Sequence, residues 1–286
     1  MAPETWAHIE AGADDGKTLT ANRDQFNRYH FVPHMLKDLR SGTTQINLFG
    51  QDYSAPIMLA PLAYQRLVHP DGEIATVSAA TALDTPMLVS TLSSIPLEDI
   101  ASAAALAAQS LGRESAPPLW FQLYLQPQRD ATLSLIRRAE AAGYKVLVIT
   151  VDAAIKRSEF TLPPGVEAAN LRGTALLRHE ASALGGRLLF GTPLIEAAPT
   201  WEDIRWLRKQ TTLPLVIKGL LSPQDAQRAS HEGADGIVVS NHGGRVLDHA
   251  IPPLDALAHI VDAVGAKIPI LFDSGIRRGT DILQAL

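Results

Sequence analysis

The stretch GIVVSNHGGRVLDH, residues 236–249, brings an imidazole, two glycines and a guanidinium to the end of an apolar run. His242 is a candidate general acid or base, because free imidazole titrates near about pH 6.5. Gly243 and Gly244 let backbone approach a bound ring or phosphate closely. Arg245, three residues beyond the histidine, suits a two-pronged grip on a carboxylate. Alone, the string reads equally well as a satisfied histidine in a glycine-rich turn. Its company shifts that balance. Asp152, closing TVD (150–152), can orient the imidazole and stabilise its protonated form, although such an aspartate by itself reads as a helix cap. Lys218 closes PLVIKG, where a buried ammonium requires an anion. An anionic cofactor would supply one; the alternative is a lysine snorkelling from the rim. FDSGIRRG (272–279) offers Asp273, Gly275 and Arg277 as a backbone-plus-cation cradle for phosphate.

These residues need a scaffold that delivers strand ends to one place. Seven short apolar runs recur at 56–60, 85–90, 119–123, 145–150, 214–219, 236–241 and 269–274. They are continuously apolar, as in strands covered on both faces. Helix-like stretches follow at 72–83, 96–108, 129–143, 222–233 and 253–265, with Ser222-Pro223 as a start signal and Gly143 and Gly233 as stops. Such alternation predicts an α/β fold, and polar residues at nearly every strand end favour a (β/α)8 barrel over an open sheet. No G-x-G-x-x-G follows the first run. Seven strands are visible and an eighth is missing. Residues 153–200 read as a long loop or lid after the fourth strand.

Composition narrows the function. With 286 residues, 25 Lys+Arg against 30 Asp+Glu and 46 % hydrophobic residues, the chain can bury a sizeable core and carries a net charge of −5. That balance excludes disorder and gives no nucleic-acid partner. The absence of cysteine excludes disulfides, thiolate metal sites and a cysteine nucleophile, and no metal site is expected. No apolar run spans a membrane and no leader is visible, so a cytoplasmic location is expected.

In order, APLAYQRLVHPDGE, STLSS, WFQLY, RRAEAAGYKVLVITVD, LPLVIKG, GIVVSNHGGRVLD and IPILFDSGIRRGTD resemble the FMN-dependent α-hydroxy-acid oxidase and dehydrogenase family, which includes glycolate, lactate and hydroxymandelate oxidases. The resemblance covers about residues 5–152 and 200–286 and implies one (β/α)8 barrel domain over 1–286. It implies that the backbone of Pro61, Leu62 and Ala63 faces the flavin, and that Ser90, Gln122 and Thr150 contact the isoalloxazine edge. Tyr124 stands beside the substrate, Lys218 near flavin N1 and O2, and Ser240 at a further flavin contact. Asp273, Ser274, Gly275, Ile276 and Arg277 correspond to the ribityl and phosphate cradle. His242 matches the catalytic histidine, Asp152 its partner and Arg245 the substrate-carboxylate arginine. Alanine at position 63 resembles the oxidases.

Three departures stand out. His8 occupies the place of a tyrosine that contacts substrate. The stretch after Asp152 is about seven residues shorter than the family pattern, with Arg157 as a substitute for a second substrate arginine. The eighth strand is absent. The implied reaction is oxidation of a small (S)-2-hydroxy acid to the 2-oxo acid, with FMN as cofactor, O2 as acceptor and a homotetramer as the assembly. The alternatives are a dehydrogenase of the same family using a quinone or cytochrome, and an impaired FMN-binding protein.

Overall fold

The computed structural model describes residues 1–153, 160–173 and 198–286. They form two compact units, Met1–Ile9 with Ile57–Val216 and Glu10–Pro56 with Ile217–Leu286. The chain opens with helices α1 (Pro3–Glu10) and α2 (Lys17–Asp24) and an antiparallel hairpin, β1 (Ile46–Leu48) and β2 (Gln51–Tyr53). The hairpin was not legible in advance. It is three residues per strand and carries no apolar alternation to announce it.

The expected alternation then follows. Helix α3 (Glu73–Ala82) leads to β3 (Met87–Ser90), α4 (Leu97–Ser110), β4 (Leu119–Leu123), α5 (Arg129–Ala141) and β5 (Val146–Thr150). After the long connection come α6 (Trp201–Arg208), β6 (Leu215–Leu220), α7 (Pro223–His231), β7 (Gly236–Val239), α8 (Pro253–Val264), β8 (Ile270–Phe272) and α9 (Gly279–Ala285).

In the first unit the parallel order is β3–β4–β5, with Met87 opposite Leu119 and Trp120 opposite Val146. Leu147 N–H then donates to Pro214 O at 3.0 Å. In the second unit the hydrogen-bonded neighbours run β6–β7–β8, with Ile237 opposite Ile270. Strands β3, β5 and β7 are buried at every residue, which is why their sequences lack polar alternation. The helices cover them with one stripe each. In α5 that stripe is Thr132, Leu135, Ile136 and Ala139, the i, i+3, i+4, i+7 spacing of a single helical face. Ser222 Oγ accepts from Asp225 N–H at 3.2 Å with Pro223 in the first turn, and Gly143 and Gly233 end their helices at positive φ.

The first of the seven expected strands does not extend as a ladder. Residues 56–60 make one parallel bridge, Leu59 to Met87, through Leu59 N–H to Pro86 O and Leu88 N–H to Leu59 O, both 3.0 Å. Pro56 and Pro61 bracket the run. Neither has an N–H to give a neighbouring strand, so pairing stops after one residue.

Candidate active site

In the first unit the C-terminal ends of β3, β4 and β5 bring together Ser90, Gln122 and Thr150, all buried. Gln122 Oε1 accepts from Ser90 Oγ at 3.1 Å and from Thr91 N–H at 3.2 Å. With the carbonyl end held by two donors, the amide Nε2 is the end left to offer. It is buried and has no hydrogen-bond partner among the described residues, and the same holds for Thr150 Oγ1. Two buried donors without acceptors are costly unless a ligand completes them.

Tyr124 follows, its N–H on Thr91 Oγ1 at 3.1 Å. Burial, then the charges of Asp152 and Tyr64, push its phenol up, so the hydroxyl stays protonated. Tyr64 was not singled out from sequence, although it lies next to Ala63. Its own phenol is raised by burial and its φ is 53°. Pro61 is half-buried while Leu62 and Ala63 are exposed, and Tyr64 N–H fastens this loop to Leu92 O at 3.0 Å. His8, on α1, stacks flat on Phe160 with ring centroids 4.1 Å apart and planes 9° from parallel. Arg157 lies outside the described residues.

The second unit holds the other candidates. Lys218 Nζ is 2.8 Å from Asp273 Oδ2 and donates to Ser240 Oγ at 2.7 Å. The anion that the buried ammonium requires is therefore Asp273, where a cofactor was expected to supply it. Burial pushes the Asp273 carboxyl up, but the Lys218 ammonium and the Ser240 and Ser274 hydroxyls outweigh that and hold it below the usual carboxylate range. Ser240 Oγ also accepts from His242 N–H at 3.1 Å, so one hydroxyl joins the lysine to the backbone of the candidate base. His242 is half-buried at φ 58°.

The glycines of this motif answer to the chain itself. A Cβ on Gly244 would come within 2.7 Å of Leu19 N, and one on Gly275 within 2.0 Å of Asn22 O. Gly244 and Gly275 admit helix α2, where Gly244 and its neighbour were expected to admit a ligand. Asn241 and Asn22 exchange amide hydrogen bonds at 2.9 and 2.7 Å, and Arg23 Nη1 donates to Gly275 O. These α2 residues lie in ANRDQF (21–26), a polar helix with no motif to mark it. Within the expected cradle, Asp273 is committed to Lys218, Ser274 Oγ accepts from Gly243 N–H at 3.0 Å, Ile276 is half-buried and Arg277 is exposed, its Nη1 on Ile276 O. Arg245 Nη1 donates to Ala11 O at 2.7 Å, and burial lowers the guanidinium pKa. No group of three or more His, Cys, Asp or Glu among the described residues fits a metal.

The profile of the family described as FMN-dependent dehydrogenase matches residues 1–286. The chain belongs to that family. It is 43 % identical to an L-lactate oxidase of Alicycliphilus denitrificans, covering 98 % of this chain and 75 % of that one. It is 42 % identical to a 4-hydroxymandelate oxidase of Amycolatopsis orientalis over 99 % and 77 %. A solved mandelate oxidase with (S)-2-phenylpropionate superposes with a TM-score of 0.83 at 39 % identity, covering 100 % of this chain and 77 % of its own. The barrel-type α/β fold read from the strand–helix alternation is thus the fold of the family, and FMN is its cofactor. The unsatisfied donors fit that group: a flavin ring edge carries carbonyl and imine acceptors for Gln122 Nε2 and Thr150 Oγ1.

Proposed function

We propose that this chain catalyses FMN-dependent oxidation of a small (S)-2-hydroxy acid to the 2-oxo acid, with O2 as the acceptor. The observation that carries the reading is the likeness, over nearly the whole chain, to enzymes named for oxidising lactate and hydroxymandelate. We take 1–286 as one functional domain. Its flavin contacts are Ser90, Gln122, Thr150, Lys218, Ser240 and the backbone of Pro61, Leu62 and Ala63, with Asp273 to Arg277 toward the ribityl phosphate. Arg245 holds the substrate carboxylate, assisted by His8 and Arg157. Tyr124, kept neutral by burial, donates to the substrate oxygen. His242 accepts the hydroxyl proton, and Asp152 stabilises the imidazolium that results. Lys218 stabilises the negative charge that accompanies reduction. When bound, FMN supplies the two-electron acceptor.

The test is anaerobic addition of lactate, glycolate and mandelate to the FMN-loaded protein, followed by readmission of O2. Bleaching of the visible flavin band and its return with O2 is the expected result. No bleaching with any 2-hydroxy acid points to a binding protein. Bleaching that O2 does not reverse points to a dehydrogenase with a quinone or cytochrome acceptor. We also place the enzyme in the cytoplasm as a homotetramer, on the family resemblance. No described helix is long and apolar enough to cross a membrane.

A further inference from the structure

Asn170 sits in the connection after β5, far in sequence from every strand end it touches, and is 4 % exposed. Its Oδ1 accepts from Leu97 N–H at 2.9 Å, at the start of α4. Its Nδ2 donates to Ser93 Oγ at 2.8 Å and reaches Thr91 O at 3.2 Å and Ser90 O at 3.3 Å. The amide orientation is forced: a backbone donor faces one end and three acceptors face the other. The neighbouring Ala169 N–H donates to Ser93 O at 2.9 Å. Arg138 closes the arrangement from behind, with Nη1 on Asn170 O at 2.9 Å and its other nitrogens on Glu98 at 2.7 and 3.0 Å.

The turn that Asn170 grips, Ser90 to Ser94, is the one that orients Gln122. Ser90 Oγ and Thr91 N–H hold Gln122 Oε1, and Thr91 Oγ1 donates to Gln122 O at 2.7 Å while accepting from Tyr124 N–H. A second buried side chain holds the same turn from its far end: Glu73 Oε1 accepts from Ser94 N–H at 2.8 Å and from Gln65 N–H at 3.1 Å. Both carbonyls that Asn170 takes belong to residues whose other groups hold the Gln122 amide. Shifting them moves the donor that the amide presents.

We infer that Asn170 is a positioning residue for the flavin contact: it fixes the Ser90–Ser93 turn so that Gln122 presents Nε2, and not its carbonyl, to the cofactor. This rests on the reading of Gln122 as a flavin contact. Asn170→Asp keeps the size of the side chain but turns its donor into an acceptor facing two carbonyls. Asn170→Ala removes the side-chain grip altogether.

The measurements are FMN dissociation constant, the position of the visible flavin bands and the dissociation constant for sulfite, an anion that binds the oxidised flavin ring. The control is Arg172→Ala, in the same segment, where only an exposed ion pair with Glu167 is lost. Both Asn170 variants are expected to raise the FMN and sulfite dissociation constants about tenfold, equivalent to ~1.4 kcal/mol, and to shift the flavin bands, while the control stays at parent values. A lower melting temperature with unchanged FMN affinity, spectrum and sulfite affinity makes Asn170 merely structural and overturns the inference. If the Asn170 variants do not accumulate as folded protein, Ser93→Ala removes one acceptor only. Its constants must then move in the same direction, by about two- to threefold, and unchanged values overturn the inference as well. A parent protein that takes up no FMN defeats the functional reading itself, which separates that failure from this one.

Discussion

Lys218 Nζ lies 2.8 Å from Asp273 Oδ2, the two residues closing β6 and following β8. Each is the other's counter-ion in a site with little water, so removing one leaves a buried charge alone. Lys218→Met should destabilise the protein by about 3 kcal/mol, and adding Asp273→Asn should recover most of that loss. If Lys218 also serves the flavin, the double variant regains stability in urea unfolding yet still reduces FMN slowly. A double variant with parental reduction rates would confine Lys218 to a structural role. The Asp273 carboxyl is held low in the folded state. Its contribution is thus complete above its unfolded value of about 4 and is lost as pH falls through the lower folded value.

His242→Ala should retain FMN and lose 2-hydroxy-acid-dependent flavin reduction by on the order of 10²–10⁴. Rapid-mixing measurement of reduction under anaerobic conditions checks this. Reduction at the parent rate would remove His242 from the chemistry.

His8→Phe separates packing from polarity. A phenyl ring keeps the stack on Phe160 but donates no hydrogen bond. The expected result is a KM for one 2-hydroxy acid raised about tenfold, the worth of one hydrogen bond to a charged group, with FMN affinity unchanged. An unchanged KM would show that His8 only packs.

Asp248 caps α2 from a distance. Gly16 stands at the N-cap and has no side chain to offer. Asp248 instead accepts from Thr18 N–H at 2.7 Å and Lys17 N–H at 3.3 Å. Those backbone donors, Thr18 first, pull its carboxyl down to about 2. A depressed carboxyl stabilises the fold above its unfolded pKa and loses that contribution as pH falls through the folded one, here between about pH 4 and 2. Thermal melts of Asp248→Asn should therefore lie below the parent at pH 7, and the gap should close toward pH 2. A gap that persists unchanged at pH 2 would contradict the capping role.

How much of this was legible beforehand follows from what a linear sequence encodes. Continuous apolar runs and one-faced stripes are local, and burial on both faces of a strand leaves no other pattern possible, so β3 to β8 and the helices between them stand where the sequence puts them. The chemistry at the strand ends was legible for the same reason, since a polar residue terminating an apolar run is conspicuous. The tertiary structure alone decided the rest. It set Asp273 against Lys218, gave Gly244 and Gly275 to α2, reduced residues 56–60 to one bridge, and placed Asn170 and Glu73 on the turn after β3. Each of these is a buried donor, acceptor or backbone surface finding its partner across long sequence separations. Such pairings leave no period in the chain, because what selects them is the cost of an unsatisfied polar group in a packed interior.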